Sequence, residues 1–174
     1  MEEMIDLFYA DGKPSGVTIA RGSGAPEGMY WAVVDVWVVT PDGRFLIQKR
    51  DMAKRKWAGY WASSAAGAVQ SGETPDQACR RETSEEVGLI TDFNRGGKIF
   101  EFLDDKRIHH VYLFCQEVDT DKLVLQPGEV SDARLATPGE IRRMIRDESM
   151  VPVDYLPQLL RMLPIFTHMY GKAD

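Results

Sequence analysis

Cysteine is scarce in this chain. Of its 174 residues only Cys79 and Cys115 are cysteines, which excludes a disulfide framework, and their separation excludes a thiolate metal site. Both read as reduced thiols packed in the interior. Positive charge is short as well: 21 Lys and Arg against 27 Asp and Glu leave a net charge of −6. A general nucleic-acid binder needs a broad basic face, so that class is excluded. A small phosphorylated molecule needs only a local cationic patch and stays open as a partner. No apolar run is long enough to cross a bilayer, so no membrane partner is expected. The start, MEEMIDLFYADGK, lacks the basic and apolar regions of a signal peptide, and the expected location is the cytoplasm. Internal repeats and low-complexity segments are missing too.

What is present has globular proportions, 44% hydrophobic and 28% charged, and the length suits a single domain over residues 1–174. Residues 4–9 and 16–20 flank the turn sequence Asp11-Gly12-Lys13-Pro14 and predict an N-terminal hairpin. This hairpin either extends the sheet edge or packs on a second copy, which makes a homodimer an expected assembly. With the Gly/Pro-rich linker that follows, it fills residues 1–29. A core over 30–147 and a helical tail over 148–174 complete the chain.

Residues 31–39, WAVVDVWVV, are β-branched and nearly all apolar, as in a central strand buried on both faces. Asp35 interrupts them, either as a substrate-facing carboxylate or as a strand-end polar group. A turn at Pro41-Asp42-Gly43 leads to a strand at 45–47. Next comes the most basic stretch, residues 49–57, which either supplies cations to a phosphorylated substrate or is a solvated loop. Trp57 and Trp61 beside it either stack on a base or pack in the core. Residues 98–103 and 108–117 predict a second hairpin, with His109 and His110 on opposite faces. Weaker strands are expected at 122–125 and 130–135. Thr137 and Glu140 form a capping box for a helix to about residue 146, and a last helix is expected to kink or end at Pro164.

The organising stretch is residues 67–89, GAVQSGETPDQACRRETSEEVGL. Thr74, Pro75 and Gln77 form a helix start and Gly88 a C-cap, predicting a helix over 75–87. Spacings of three and four place Glu82, Glu85 and Glu86 on one side of it. Such a cluster is either a solvated acidic face or a cation site. Carboxylate oxygens suit Mg²⁺ first and Mn²⁺ second.

This spacing of Gly67, Glu73, Arg81-Glu82, Glu85-Glu86 and Gly88-Leu89 resembles the signature of the Nudix hydrolase family. The resemblance implies an α/β/α sandwich with a mixed central sheet, here with an N-terminal hairpin and a C-terminal helix added. It implies Mg²⁺-dependent cleavage of a P–O–P linkage, with a nucleoside diphosphate as the expected type of small-molecule substrate. Glu82, Glu86 and Glu85 match the family's metal ligands. Glu73 matches the acidic residue that supports the metal, and Ala66 a backbone carbonyl ligand. Glu82 or Glu85 is expected to act as the base with Arg81 holding a carboxylate, while Glu129 and Glu117 are later-loop alternatives for the base. Arg50, Lys49 and Trp61 are the expected substrate contacts.

Thr83 stands where the family has an apolar residue; its hydroxyl can bond back to the Cys79 carbonyl. Ala68 replaces a second glycine. The hairpin and residues 46–50 also look like the branch related to isopentenyl-diphosphate isomerase. That enzyme needs a cysteine before the box glycine and histidine ligands, whereas this chain has Ala66, Ala68 and Tyr30. A hydrolase is therefore expected. An isomerase-like enzyme and a non-catalytic nucleotide-binding or metabolite-binding module are the alternatives.

Overall fold

Alternation in the longest apolar run sets the architecture. In the computed structural model, which describes residues 2–171, strand β3 (Tyr30–Val39) sends Trp37 and Val39 to one core and Val34, Val36 and Val38 to another on the opposite face. A strand buried on both faces needs a cover on each. Helix α1 (Pro75–Val87) covers one face through Ala78, Cys79 and Val87. Helices α2 (Pro138–Arg146) and α3 (Leu156–Tyr170) cover the other through Ile141, Leu156, Leu159 and Leu163. The result is the α/β/α sandwich that the sequence predicts. Cys79 and Cys115 are free and buried in separate cores on the two sides of the sheet, so they cannot pair.

The sheet is mixed. Strand β8 (Arg107–Cys115) runs parallel to β3 along its whole length and carries β7 (Gly96–Leu103) beyond it. The other edge of β3 is shared by three antiparallel partners. These are β1 (Met4–Phe8) at its start, β6 (Ala65–Ala68) in its middle and β4 (Phe45–Arg50) at its end. Strand β2 (Pro14–Ala20) completes the N-terminal hairpin on β1. The short β5 (Trp61–Ala62) and β9 (Val130–Ala136) pair with β4.

Helix α1 begins and ends where its caps dictate. Thr74 Oγ1 accepts from the Gln77 N–H, the Gln77 side chain returns the bond to Thr74 N–H, and Gly88 closes the helix at φ 68°. Two expectations are corrected. Residues 122–125 do not form a strand: a 3-10 turn over Thr120–Lys122 precedes an extended segment whose Val124 and Gln126 N–H groups donate to Val87 and Glu86 carbonyls. Of the kink or end expected at Pro164, the end does not occur: helix α3 continues to Tyr170, held by the apolar stripe that ends in Phe166. Tertiary burial of that stripe outweighs the hydrogen bond a mid-helix proline removes. Of the segments expected from sequence, Met1 and residues 172–174 lie outside the described residues.

Candidate active site

The box helix brings acid into the interior. Its inward face carries Ala78, Cys79, Thr83 and Val87, and the same face carries Glu82 at 8% exposure and Glu86 at 5%. Two buried carboxylates need partners. Glu86 Oε2 accepts from the Ala66 N–H at 3.0 Å and from Gln48 Nε2 at 2.7 Å. Glu82 packs directly on the backbone of β6: a Cβ at Gly67 would lie 1.9 Å from Glu82 Oε1, so the position demands glycine for contact.

Arg81 draws the remaining acids together. Its Nε and Nη2 form a two-point bond with the Glu73 carboxylate, both at 2.9 Å, and Nη1 donates to Glu82 at 2.7 Å and to Glu85 at 3.3 Å. Nη2 also donates to the Ala68 carbonyl at 3.0 Å. Such a fork fixes orientation as well as charge. Glu73 is thereby committed to Arg81 and to the Gln70 N–H, while Ala66, Glu82, Glu85 and Glu86 line an open cleft. Arg50, Lys54 and Glu129 line the same cleft from β4 and the loops beyond, and Lys54 pairs with Glu129.

Burial pushes the Glu86 carboxyl up to about 8, with the neighbouring Glu82 charge adding to it. Burial also raises Glu82, with Arg81 opposing. Beside Glu86, the Gln48 Oε1 is buried and has no hydrogen-bond partner among the described residues. Also among them, no three acidic, histidine or cysteine side chains yet converge to hold an ion, since Arg81 gathers the carboxylates instead. The carboxylates of Glu82, Glu85 and Glu86 nonetheless fit a hard divalent cation, which takes oxygen ligands, and burial raises two of them, Glu82 and Glu86.

The structure divides the expected substrate residues. On β4, Gln48 and Arg50 point to the cleft side, whereas Lys49 points to the other face and lies 5.9 Å from the Trp61 ring. Trp61 packs on the α2/α3 core with the Arg134 guanidinium 5.0 Å away. Lys49 and Trp61, expected as substrate contacts, therefore stand outside this cleft's lining, with Lys49 on the strand face opposite Gln48. Trp57 is half-exposed and packs edge-on against Tyr60 at 5.1 Å. Glu117, His109 and His110 also lie outside the cleft lining. His109 sits between Asp35 at 2.7 Å and Asp104 at 3.0 Å, so Asp35 is a structural partner. Sequence reading missed Glu3, Arg21, Gln70 and Gln126, which also line the cleft, and Gln48. Gln48 was within reach, since it shares the β4 face of Arg50; the others come from loops and the hairpin, which have no period to read.

An acidic helix under a mixed sheet, with carboxylates and cations lining one cleft, defines an α/β/α sandwich protein with a charged site. The family model described as the NUDIX domain matches residues 29–157. An uncharacterized Nudix hydrolase of Listeria monocytogenes is 33% identical over 162 residues, covering 93% of this chain and 95% of that protein. An isopentenyl-diphosphate Delta-isomerase of Corynebacterium diphtheriae is 32% identical over 90 residues, 52% of this chain and 49% of the isomerase. The crystal structure of DR0079 from Deinococcus radiodurans shares the fold, with a TM-score of 0.75 at 23% identity over 92% of this chain and 99% of that one. The chain belongs to the Nudix hydrolase family.

Proposed function

We propose that the chain hydrolyses a P–O–P linkage in a small nucleoside-diphosphate-type substrate, with Mg²⁺ or Mn²⁺ held by Glu82, Glu85, Glu86 and the Ala66 carbonyl. The observation that carries this reading is the meeting, in one cleft, of carboxylates on the box helix with Arg50 and Lys54 on the facing wall. The bound cation would offset phosphate charge and lower the pKa of the attacking water. Arg50 and Lys54 bind phosphate oxygens and align the linkage. Arg81 holds Glu82 and Glu85 in position through the bonds that fix it to Glu73 and the Ala68 carbonyl.

Glu85 and Glu129 are the cleft carboxylates most open to water, with side-chain exposures of 49% and 36%. Glu129 is held closely by Lys54 and Glu85 only at 3.3 Å by Arg81, so Glu85, the more exposed of the two, is assigned the water's proton. Attack in line on one phosphorus breaks its bond to the bridging oxygen, and the second phosphate leaves. An isomerase would need a thiol in the cleft. Both cysteines are instead buried in the cores, and burial pushes Cys79 up to about 12. The test is ³¹P NMR of a panel of nucleoside di- and triphosphates, nucleotide sugars and isopentenyl diphosphate with Mg²⁺, using Glu86→Gln as control. Product phosphate from the wild type alone supports the reading. A panel left unchanged would sink it.

A further inference from the structure

The family model begins at residue 29, yet two residues before it, Glu3 and Arg21, line the cleft. The hairpin that carries them is fixed to the site. Ile5 and Leu7 are buried, Asp6 accepts from Ser71 Oγ at 2.8 Å and from the Gly72 N–H at 2.9 Å, and the Ser71 N–H donates to the Met4 carbonyl. Residues 71 and 72 lead into the box helix, so the hairpin is held against the loop that positions Glu73. Arg21 follows β2 directly, and its N–H donates to the Glu3 carbonyl.

The cleft's cations are not equally occupied. Arg81 is engaged through all three nitrogens and Lys54 is paired with Glu129, whereas among the described residues Arg50 makes a single bond, from Nε to the Lys56 carbonyl, and keeps its terminal nitrogens open. Arg21 makes one side-chain bond, from Nη1 to Glu3 at 2.7 Å, in a pair whose side chains are 52% and 28% exposed. An exposed pair of this kind is weak and readily exchanged. Its Nε and Nη2 have no partner among the described residues, which leaves a fork suited to a phosphate. Arg21 enters the cleft from the end of the hairpin and Arg50 from β4, two different elements of the sheet.

We propose that the N-terminal hairpin is part of the substrate site: Arg21 exchanges Glu3 for the phosphate on one side of the scissile linkage, while Arg50 and Lys54 hold the phosphate on the other. This rests on the hydrolase reading above and adds Arg21 to the residues that hold its substrate. Among the described residues that line the cleft there is no aromatic or branched aliphatic side chain. An isoprenyl tail finds no apolar surface in this lining.

The experiment is calorimetric titration of the full chain, in Mg²⁺, with methylenebisphosphonate, whose P–C–P bridge cannot be hydrolysed. Arg21→Gln is expected to weaken binding about tenfold, Arg21→Lys to restore part of it, and Glu3→Gln to tighten it by removing the competitor. Both Gln variants break the same ion pair, so a merely structural pair would move affinity in one direction for both, and that outcome overturns the proposal. Equal binding by wild type and Arg21→Gln, alongside turnover in the NMR panel, removes the hairpin from the site and leaves the hydrolase standing. No binding and no turnover by the wild type sinks both.

Discussion

Gln48 Nε2 donates to Glu86 Oε2 at 2.7 Å, and both side chains are buried. Through this bond strand β4 orients the deepest carboxylate of the box helix. With the Ala66 N–H on the same oxygen, both of these hydrogen bonds to Glu86 end on Oε2, which leaves its other oxygen to face a cation. Gln48→Leu is expected to lower divalent-cation affinity ten- to a hundredfold. Mn²⁺ titration followed by electron paramagnetic resonance measures this without turnover, and unchanged affinity would rule out an orienting role.

Gly67 is constrained by the Glu82 carboxylate against it. In Gly67→Ala the methyl group must displace a buried acid whose position Arg81 fixes. A loss of activity of at least tenfold is expected, along with a lower melting temperature. Steady-state rates and a thermal melt check both.

The two faces of β4 should separate in kinetics. Arg50→Ala is expected to raise KM about tenfold, the cost of one charge-assisted phosphate contact. Lys49→Ala, on the face with Trp61, should leave KM within about twofold. Equal effects from the two would mean that the substrate path runs elsewhere.

His109 bridges Asp35 and Asp104 and stacks on Phe102 at 4.6 Å. Burial alone would lower its pKa, but the two carboxylates outweigh burial and raise it. With the folded value above the unfolded one, near 6.5, the stabilisation is fully present below that pH. It is lost as pH rises through the folded value. Thermal melts of wild type and His109→Gln from pH 5.5 to 9 should therefore converge toward the alkaline end. Curves that stay parallel would show that the bridge does not titrate.

Thr83 Oγ1 donates to the Cys79 carbonyl at 2.8 Å inside the core under α1. That carbonyl sits within the helix, so losing the hydroxyl leaves it its helical partner, and Thr83→Val exchanges a hydroxyl for a methyl at an apolar site. Stability within about 1 kcal/mol of wild type is expected from urea denaturation. A larger loss would mean that the side-chain bond fixes the helix geometry.

The sequence by itself determined the elements whose signals are local. Thr74, Pro75, Gln77 and Gly88 bounded the box helix because caps act within one turn. The apolar run 31–39 announced a strand covered on both sides, and the spacing of Glu82, Glu85 and Glu86 put acid on one helix face. Only the tertiary structure decided which cations meet that acid. Lys49 and Arg50 are adjacent in the chain, and the pleat sent one to each side of the sheet. Trp61 went to the α2/α3 core because β5 pairs with β4 there. Pro164 failed to end its helix since the stripe from Leu156 to Phe166 was buried whole. Arg21 is 60 residues from Arg81 in the chain (81 − 21), and no pattern links them; β1 brings them to one cleft by pairing with β3. Caps and periodicity are written within a few residues of where they act, whereas a site wall depends on which strands become neighbours.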